Sequence, residues 1–440
     1  MMPTSRWIAA ALLLTAPAVA GSFEKTRSLT VDYRGGRVTV EHSFGRVDIR
    51  TAGGNQVNAR LTIRSSDAEL GGRIQLQTAN GPEGVIVRTV IPEVHRRRNL
   101  SWSVDLEVTI PERAPLYVKN RFGSIEAEGL RAPGEIVNAQ GSITLRDARA
   151  AQRVENAFGS IDIDNVTGDL TVANANGSVQ IDHARGKVTV ADRFGSVRID
   201  DASHDVAVTN TNGSVDLRGV GGSARVTTSF GSINARGIDG DATLISQNGR
   251  IEAGDIKGAA EIRNSFGSTR ATNIGRDLNL HSSNGRIEAT DVGGNATVSG
   301  GFGSIELRGV RGSAEITNGN GSVTASDIGG SAHVHTTFAS VFLERVGGAV
   351  SVENQNGAIS VSGLKAPCRD ISLKTSFSPI RVALPSGAGY NVDARTSFGT
   401  INTDVPVTVT RKSENTLTGT IHNGGCRLEL ANANGSITIE

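Results

Sequence analysis

Residues 210–238 read NTNGSVDLRGVGGSARVTTSFGSINARGI, in which Asn212-Gly213-Ser214-Val215 is answered 18 residues later by Phe230-Gly231-Ser232-Ile233. Working outward from this pair, a small residue recurs every 18 positions at Gly123, Gly141, Gly159, Gly177, Gly195, Gly213, Gly231, Gly249, Gly267, Gly285, Gly303, Gly321, Ala339 and Gly357. The spacing admits no insertion, so one unit has been stacked many times. Two residues after each anchor stands a β-branched residue, such as Ile143, Val179, Val215, Thr269 or Ile359. The fourth is small or aliphatic (Leu145, Ile163, Leu217), the seventh apolar (Val166, Val220, Ile256), and another aliphatic lies five residues before the anchor (Val154, Val226, Ile262).

Alternation inside each short run is the period of a β-strand, while recurrence at 18 stacks equivalent positions of successive coils. The chain therefore reads as an all-β, single-stranded β-solenoid, each coil giving one ring of side chains to a continuous core. At the usual strand spacing the fourteen anchored coils make a rod of about 65 Å. A left-handed hexapeptide helix needs apolar positions every six residues, which this repeat does not supply, so right-handed winding of a parallel β-helix is expected.

Composition agrees. Glycine is abundant at 54 of 440 residues while proline, aromatics, methionine and cysteine are scarce, as befits many short strands turning at fixed positions. With 45 basic and 44 acidic side chains there is no overall field for nucleic acid or an anionic membrane. Arg6, the apolar run Trp7–Leu14 and the ending Ala18-Val19-Ala20 have the layout of a cleavable secretory signal, so residues 1–20 are read as a signal peptide. No cysteine follows the apolar run and no later stretch is long and apolar enough for a spanning helix, so the mature chain is expected to lack a lipid anchor and a transmembrane segment. An exported compartment permits Cys368 and Cys426 to pair.

Two ladders run through the repeat. Three residues before the anchor, Asn120, Asn138, Asn156, Asn174, Asn210, Asn264, Asn318 and Asn354 recur, with Asp192, Thr228, Ser246, Ser282 and Thr336 in other coils. Their parity points them inward near a corner, where stacked amides bond each other and the turn backbone. The residue before the anchor alternates. Phe122, Phe158, Phe194, Phe230, Phe266, Phe302 and Phe338 form one set, and Gln140, Asn176, Asn212, Asn248, Asn284, Asn320 and Asn356 the other. Parity favours phenylalanines packed into the corner; the alternative is an exposed aromatic stripe with rings about 9.6 Å apart that stacks on sugars or a partner. Asn-Gly-Ser at Asn176, Asn212 and Asn320 matches the glycosylation acceptor pattern and is read as turns.

The ends differ. Residues 21–118 carry strand patterns without the 18-residue spacing and are read as a β cap, 119–364 as the regular repeats, and 365–440 as irregular coils closing the C-terminal end. Phe44-Gly45 hints that the cap derives from the same unit. The basic run His95-Arg96-Arg97-Arg98 beside Trp102 is read as a solvated hairpin loop, with docking on an anionic surface as the sharper alternative.

The strand Val104–Pro111, Asn120 to Ile125 (Asn-x-Phe-Gly-Ser-Ile), the Asn-Gly-Ser-Val coils, Phe398-Gly399 in its Thr-Ser-Phe-Gly-Thr-Ile setting, and Asn434-Gly435-Ser436-Ile437 together resemble the bacterial putative-adhesin β-solenoid family, a domain-of-unknown-function family. That resemblance implies a solenoid and an exported location, and offers no catalytic residues to carry over.

Function is read accordingly as a non-catalytic, exported structural or adhesin-like rod, periplasmic or at the cell surface, monomeric, and binding glycan, envelope polymer or protein through one solenoid face. No cofactor, metal or nucleic acid is expected. The alternative is a carbohydrate-active β-helix enzyme, either polysaccharide lyase or hydrolase. That chemistry needs clustered carboxylates in a cleft walled by long loops. Asp162, Asp164, Asp200 and Asp201 do not recur as an aligned pair and are read as a solvated face. His333 and His335 flank inward Val334 and lack an evident third metal ligand. The calcium β-roll nonapeptide and a regular outward threonine array are both absent.

Overall fold

Each 18-residue unit folds into two strands, because two apolar alternations are separated by glycine-bearing turns. A computed structural model describes residues 23–92 and 101–440; the signal peptide and the His95–Arg98 run lie outside the described residues. Ala224–Phe230 and Ile233–Ile238 form one coil, Ala242–Asn248 and Ile251–Ile256 the next. First strands stack in one parallel sheet and second strands in another, Ala224 opposite Ala242 and Ile233 opposite Ile251. The result is an all-β parallel solenoid of roughly 15 turns. Between Gly134 and Ser362 the connections are only two or three residues long.

Inward residues make one core. In a single coil Val215, Leu217, Val220, Ala224, Val226 and Thr228 are all at most 2% exposed. Each large aliphatic contributes roughly 1.5–3 kcal/mol, but only when its neighbours above and below are in place.

Three corners hold the coil. At the first, the anchor glycine takes positive φ: Gly213 has φ 137°, and a Cβ there would stand 1.9 Å from the Gly195 carbonyl oxygen. Side chains are excluded by that approach. Ala339 holds this place in one coil without a positive φ. The second corner lies six residues on, where Asp147, Asn165, His183, Asp201, Gly219, Asp255, Asn273, Asp291, Asp327 and Arg345 have φ of 53–67°. Short polar side chains tolerate this left-handed turn, and most of the column is Asp, Asn or Gly for that reason. At the third, side-chain oxygens cap the coil above: Asp241 Oδ1 accepts from the Ala259 amide at 2.8 Å, and Asp277 Oδ1 from Asn295 at 2.7 Å. Neither of these latter columns was singled out from the sequence, although both recur at 18.

The polar ladder is buried as its parity requires, but its bonds differ from expectation. Asn264 Nδ2 donates to the carbonyls of Gly249 and Gly267, at 2.9 and 3.1 Å, and Asn210 and Asn318 repeat the arrangement. The amides thus satisfy the turn backbone of two coils, their own and the one before, rather than each other. Thr336, which donates to Asn354 Oδ1 at 3.0 Å, is a side-chain to side-chain link within the ladder.

Both ends are built from coils out of chain order. At the N-terminal end the coil of Arg37–Glu41 and Val47–Ala52 is slotted between Gly84–Val90 with Trp102–Pro111 on one side and Leu116–Phe122 with Ile125–Glu128 on the other. Antiparallel strands Gln56–Ser65 and Phe23–Asp32 then cover one sheet edge, and Gln75–Gly81 the other. His42 takes the ladder position here, three residues before Gly45, and bonds Thr89 Oγ1 and the Val104 carbonyl. At the C-terminal end the last coil, Cys426–Asn434 and Ile437–Ile439, is inserted between Ile371–Phe377 with Ile380–Val382 and Tyr390–Phe398 with Ile401–Thr403. Thr416–Ile421 and Val407–Lys412 fold over that end antiparallel. Cys368 and Cys426 are disulfide-bonded, with Cα atoms 5.9 Å apart.

Asp192 stands in the ladder where other coils carry asparagine. It is 3% exposed and neither carboxylate oxygen makes a hydrogen bond of normal geometry. Burial pushes its pKa up to about 6, partly offset by the Arg193 amide. The folded state therefore holds this proton up to about pH 6 while the unfolded chain releases it near 3.8, so the group destabilises the fold increasingly from pH 4 to 6. His42, whose pKa burial lowers to about 4, acts in the opposite sense over an overlapping range. Asp192→Asn is accordingly expected to gain stability over the parent by an amount that is small at pH 4 and reaches on the order of 2–3 kcal/mol above pH 6, read by thermal or urea melts of both proteins at matched pH; a gain independent of pH would exclude carboxylate burial as its origin.

Candidate binding surface along the first corner

The residue before each anchor sits on the outside of the first corner. Phe158, Phe194, Phe230, Phe266, Phe302 and Phe338 are 55–61% exposed, so packing into the corner is not what these rings do. Strand parity favoured an inward ring, but the phenylalanine is the last residue of its strand. Asn156 is the last side chain directed inside, its amide fills the corner by bonding the Gly141 and Gly159 carbonyls, and Gly159 turns the backbone immediately after Phe158. The ring is displaced to solvent by the amide it follows. Phe377 and Phe398, outside the regular spacing, are exposed in the same way.

Neighbouring rungs alternate in register: Phe194 lies opposite Asn212, Asn212 opposite Phe230, and Phe230 opposite Asn248. Rings in alternate coils are thus about 9.6 Å apart. The amides between them are half-buried, and those of Asn176 and Asn284 donate weakly to the Ala157 and Ser265 carbonyls, at 3.4 and 3.3 Å. Asn176, Asn212 and Asn320 therefore occupy turn-flanking slots between rings. Phe122, the first of the set, differs: it is half-buried, 6.2 Å from the Phe44 ring, which itself stacks on Trp102 at 4.1 Å.

Elsewhere the surface is charged and paired. Arg270 reaches Glu288 at 2.8 Å on the outer face of the second sheet, and Arg286, next to the Gly285 anchor, reaches Glu306 on that face at 2.6 Å. Exposed pairs of this kind contribute little stability. Contrary to the sequence reading, acidic residues do align: Asp164, Asp182 and Asp200 lie opposite one another in three coils. Asp182 is the rung that joins Asp164 and Asp200, which stand 36 residues apart in the chain. The column is tied up by Arg198, 2.6 Å from Asp200, and by His183, whose pKa is raised by its hydrogen bond to Asp164. Asp162 faces Gln180 instead, and Asp201 occupies the second corner. His333 and His335 are exposed, with His335 3.8 Å from Glu353. Among the described residues no three His, Cys, Asp or Glu side chains are grouped to hold a metal ion, and no helix is long and apolar enough to cross a membrane.

Residues 241–440 match the family model described as Toastrack DUF4097. The sequence resemblance to a domain-of-unknown-function family of putative adhesins is thereby supported. The Toastrack match includes the inserted terminal coil and the phenylalanines from Phe266 onward. Similar solved structures include a putative cell adhesion protein from Clostridium sporogenes (9% identity, 95% of this chain and 99% of that one, TM-score 0.20). Others are putative adhesins from Bacteroides fragilis (12%, 60% and 97%, 0.23) and Parabacteroides merdae (9%, 77% and 95%, 0.21). Such loose superpositions transfer no property to this chain. No curated protein matches it.

The exposed ring and the buried amide two residues before it should behave oppositely on truncation. Phe266→Ala is expected to change stability by no more than about 0.5 kcal/mol, whereas Asn264→Ala, which strips donors from the Gly249 and Gly267 carbonyls, should cost about 1–3 kcal/mol; equal losses in denaturant melts would show that the ring is packed after all.

Proposed function

We propose that this protein is a non-catalytic, exported, adhesin-like rod that binds glycan, envelope polymer or protein through its first corner. The observation that carries the reading is the stripe of exposed phenylalanines from Phe158 to Phe398. Exposed aromatic side chains cost solubility, and a regular series of them on one line of the surface marks a contact surface. The regular coils support binding better than chemistry, since their connections of two or three residues between Gly134 and Ser362 leave no walls for a cleft. The acidic column that an enzyme would need is engaged by Arg198 and His183. Export rests on the signal layout of residues 1–20, and monomeric behaviour on the antiparallel strands that cover both sheet edges at the N-terminal end and one at the C-terminal end.

The test is incubation of the purified mature protein with isolated envelope and with a panel of polysaccharides. Retention on at least one polymer, without release of reducing ends or unsaturated uronate, is expected. Cleavage of any of them would overturn the non-catalytic reading in favour of a carbohydrate-active enzyme.

A further inference from the structure

We infer that the occupant of the first corner is an extended, uncharged polysaccharide, lying along the rod with sugar rings seated against alternate phenylalanines. This rests on the binding-surface reading above and names its ligand class. Three observations carry it.

First, the alternation of ring and amide is kept on the assembled surface even where the chain order breaks it. In sequence the last rungs come in the order Phe338, Asn356, Phe377, Phe398, Asn434. In space the inserted terminal coil sets Asn434 opposite both Phe377 and Phe398. The order becomes ring, amide, ring, amide, ring, and the two-coil period continues to the end of the rod. Rings that merely covered the corner would have no need of an amide between them.

Second, the chain shows what happens without that amide. At the N-terminal end Phe44 and Phe122 meet at a tilt with centroids 6.2 Å apart, Trp102 stacks on Phe44 from the other side, and both phenylalanines are half-buried. Interposed amides keep the remaining rings apart and available. A spacing of about 9.6 Å is close to the advance of two sugar units in an extended β-linked chain, and leaves each ring face free for the C–H face of a pyranose.

Third, the surroundings are rich in hydroxyls and free of carboxylates; of the four arginines among them, Arg121, Arg193, Arg250 and Arg286, the last two are paired with Glu252 and Glu306. The residue after each anchor is most often an exposed serine, as at Ser160, Ser178, Ser196, Ser214 and Ser232. From two residues before the anchor to one after it no coil from Phe122 to Phe398 carries a carboxylate, although the chain has 44 acidic residues. Aromatic faces flanked by amides and hydroxyls are groups that recognise neutral sugars. The anchor amides are engaged coil to coil, Gly231 N donating to Asn248 O and Gly249 N to Phe266 O, so the corner offers no edge for an added peptide strand.

The experiment titrates the full mature protein with cello- and chito-oligosaccharides of increasing length, with maltohexaose as the curved control. Affinity is expected to rise with length for the extended series only. Phe230→Ala/Phe266→Ala/Phe302→Ala should weaken it about a hundredfold with an unchanged melting curve. Asn248→Phe/Asn284→Phe fills the slots, and should also lose binding despite adding aromatic surface; tighter binding by this variant would overturn the inference in favour of nonspecific apolar contact. No length dependence, or binding of maltohexaose alone, would overturn it as well. If the oligosaccharides fail while isolated envelope is still retained in a phenylalanine-dependent manner, the polysaccharide is wrong and the surface reading stands. If the alanine variant retains all binding, both fall.

Discussion

The structure depends on a buried amide bridging the turn carbonyls of two successive coils. A parallel solenoid must turn its backbone at every corner, and each turn leaves carbonyls pointing along the rod axis where no strand partner reaches them. Asn264 answers two of these at once, one in its own coil and one in the coil before. A carbonyl buried without a donor is costly, so the amide specifies both where the chain turns and how far one coil stands from the next. The glycine anchor follows, because the approach of adjacent turns leaves no room for a Cβ. Asp192 is the instructive exception, a ladder member with no amide and, once ionised, no donor to offer, held at the expense of a displaced pKa.

That same amide decides the protein's outer surface. By filling the corner it leaves no interior volume for the next inward-parity residue, and the phenylalanine that follows is turned out to solvent. Core and candidate binding surface are thus two consequences of one turn. Short connections elsewhere keep the rest of the rod smooth and ion-paired, so that the aromatic line is the chemically distinctive feature along its length.

Closure of the ends uses the same unit in a different order. At each end a coil is threaded between two others, and antiparallel strands are laid across both outer sheet edges at the N-terminal end and across one at the C-terminal end. At the C-terminal end the Cys368–Cys426 bond ties the start of the inserted coil to the last regular turns, and the insertion carries the ring and amide alternation to the tip.

The period, the two strands per coil, the inward aliphatic set and the polar ladder were all legible from the sequence, because a stack with an 18-residue register repeats its local constraints at a spacing the eye can count. The left-handed turns at positions such as Asp201 and Asp255 were equally countable and were missed only because their side chains vary. What no sequence period could supply were features created when coils meet. The direction of Phe158 depends on the Asn156 amide occupying the corner interior, the aligned acidic column on coils lying opposite one another, and the place of Asn434 on a coil inserted out of chain order. Sequence alone determined the repeating strand and its core, since these are local and periodic. Tertiary structure alone decided which rings face solvent and in what spatial order, since both follow from competition for volume and from threading between segments distant in the chain.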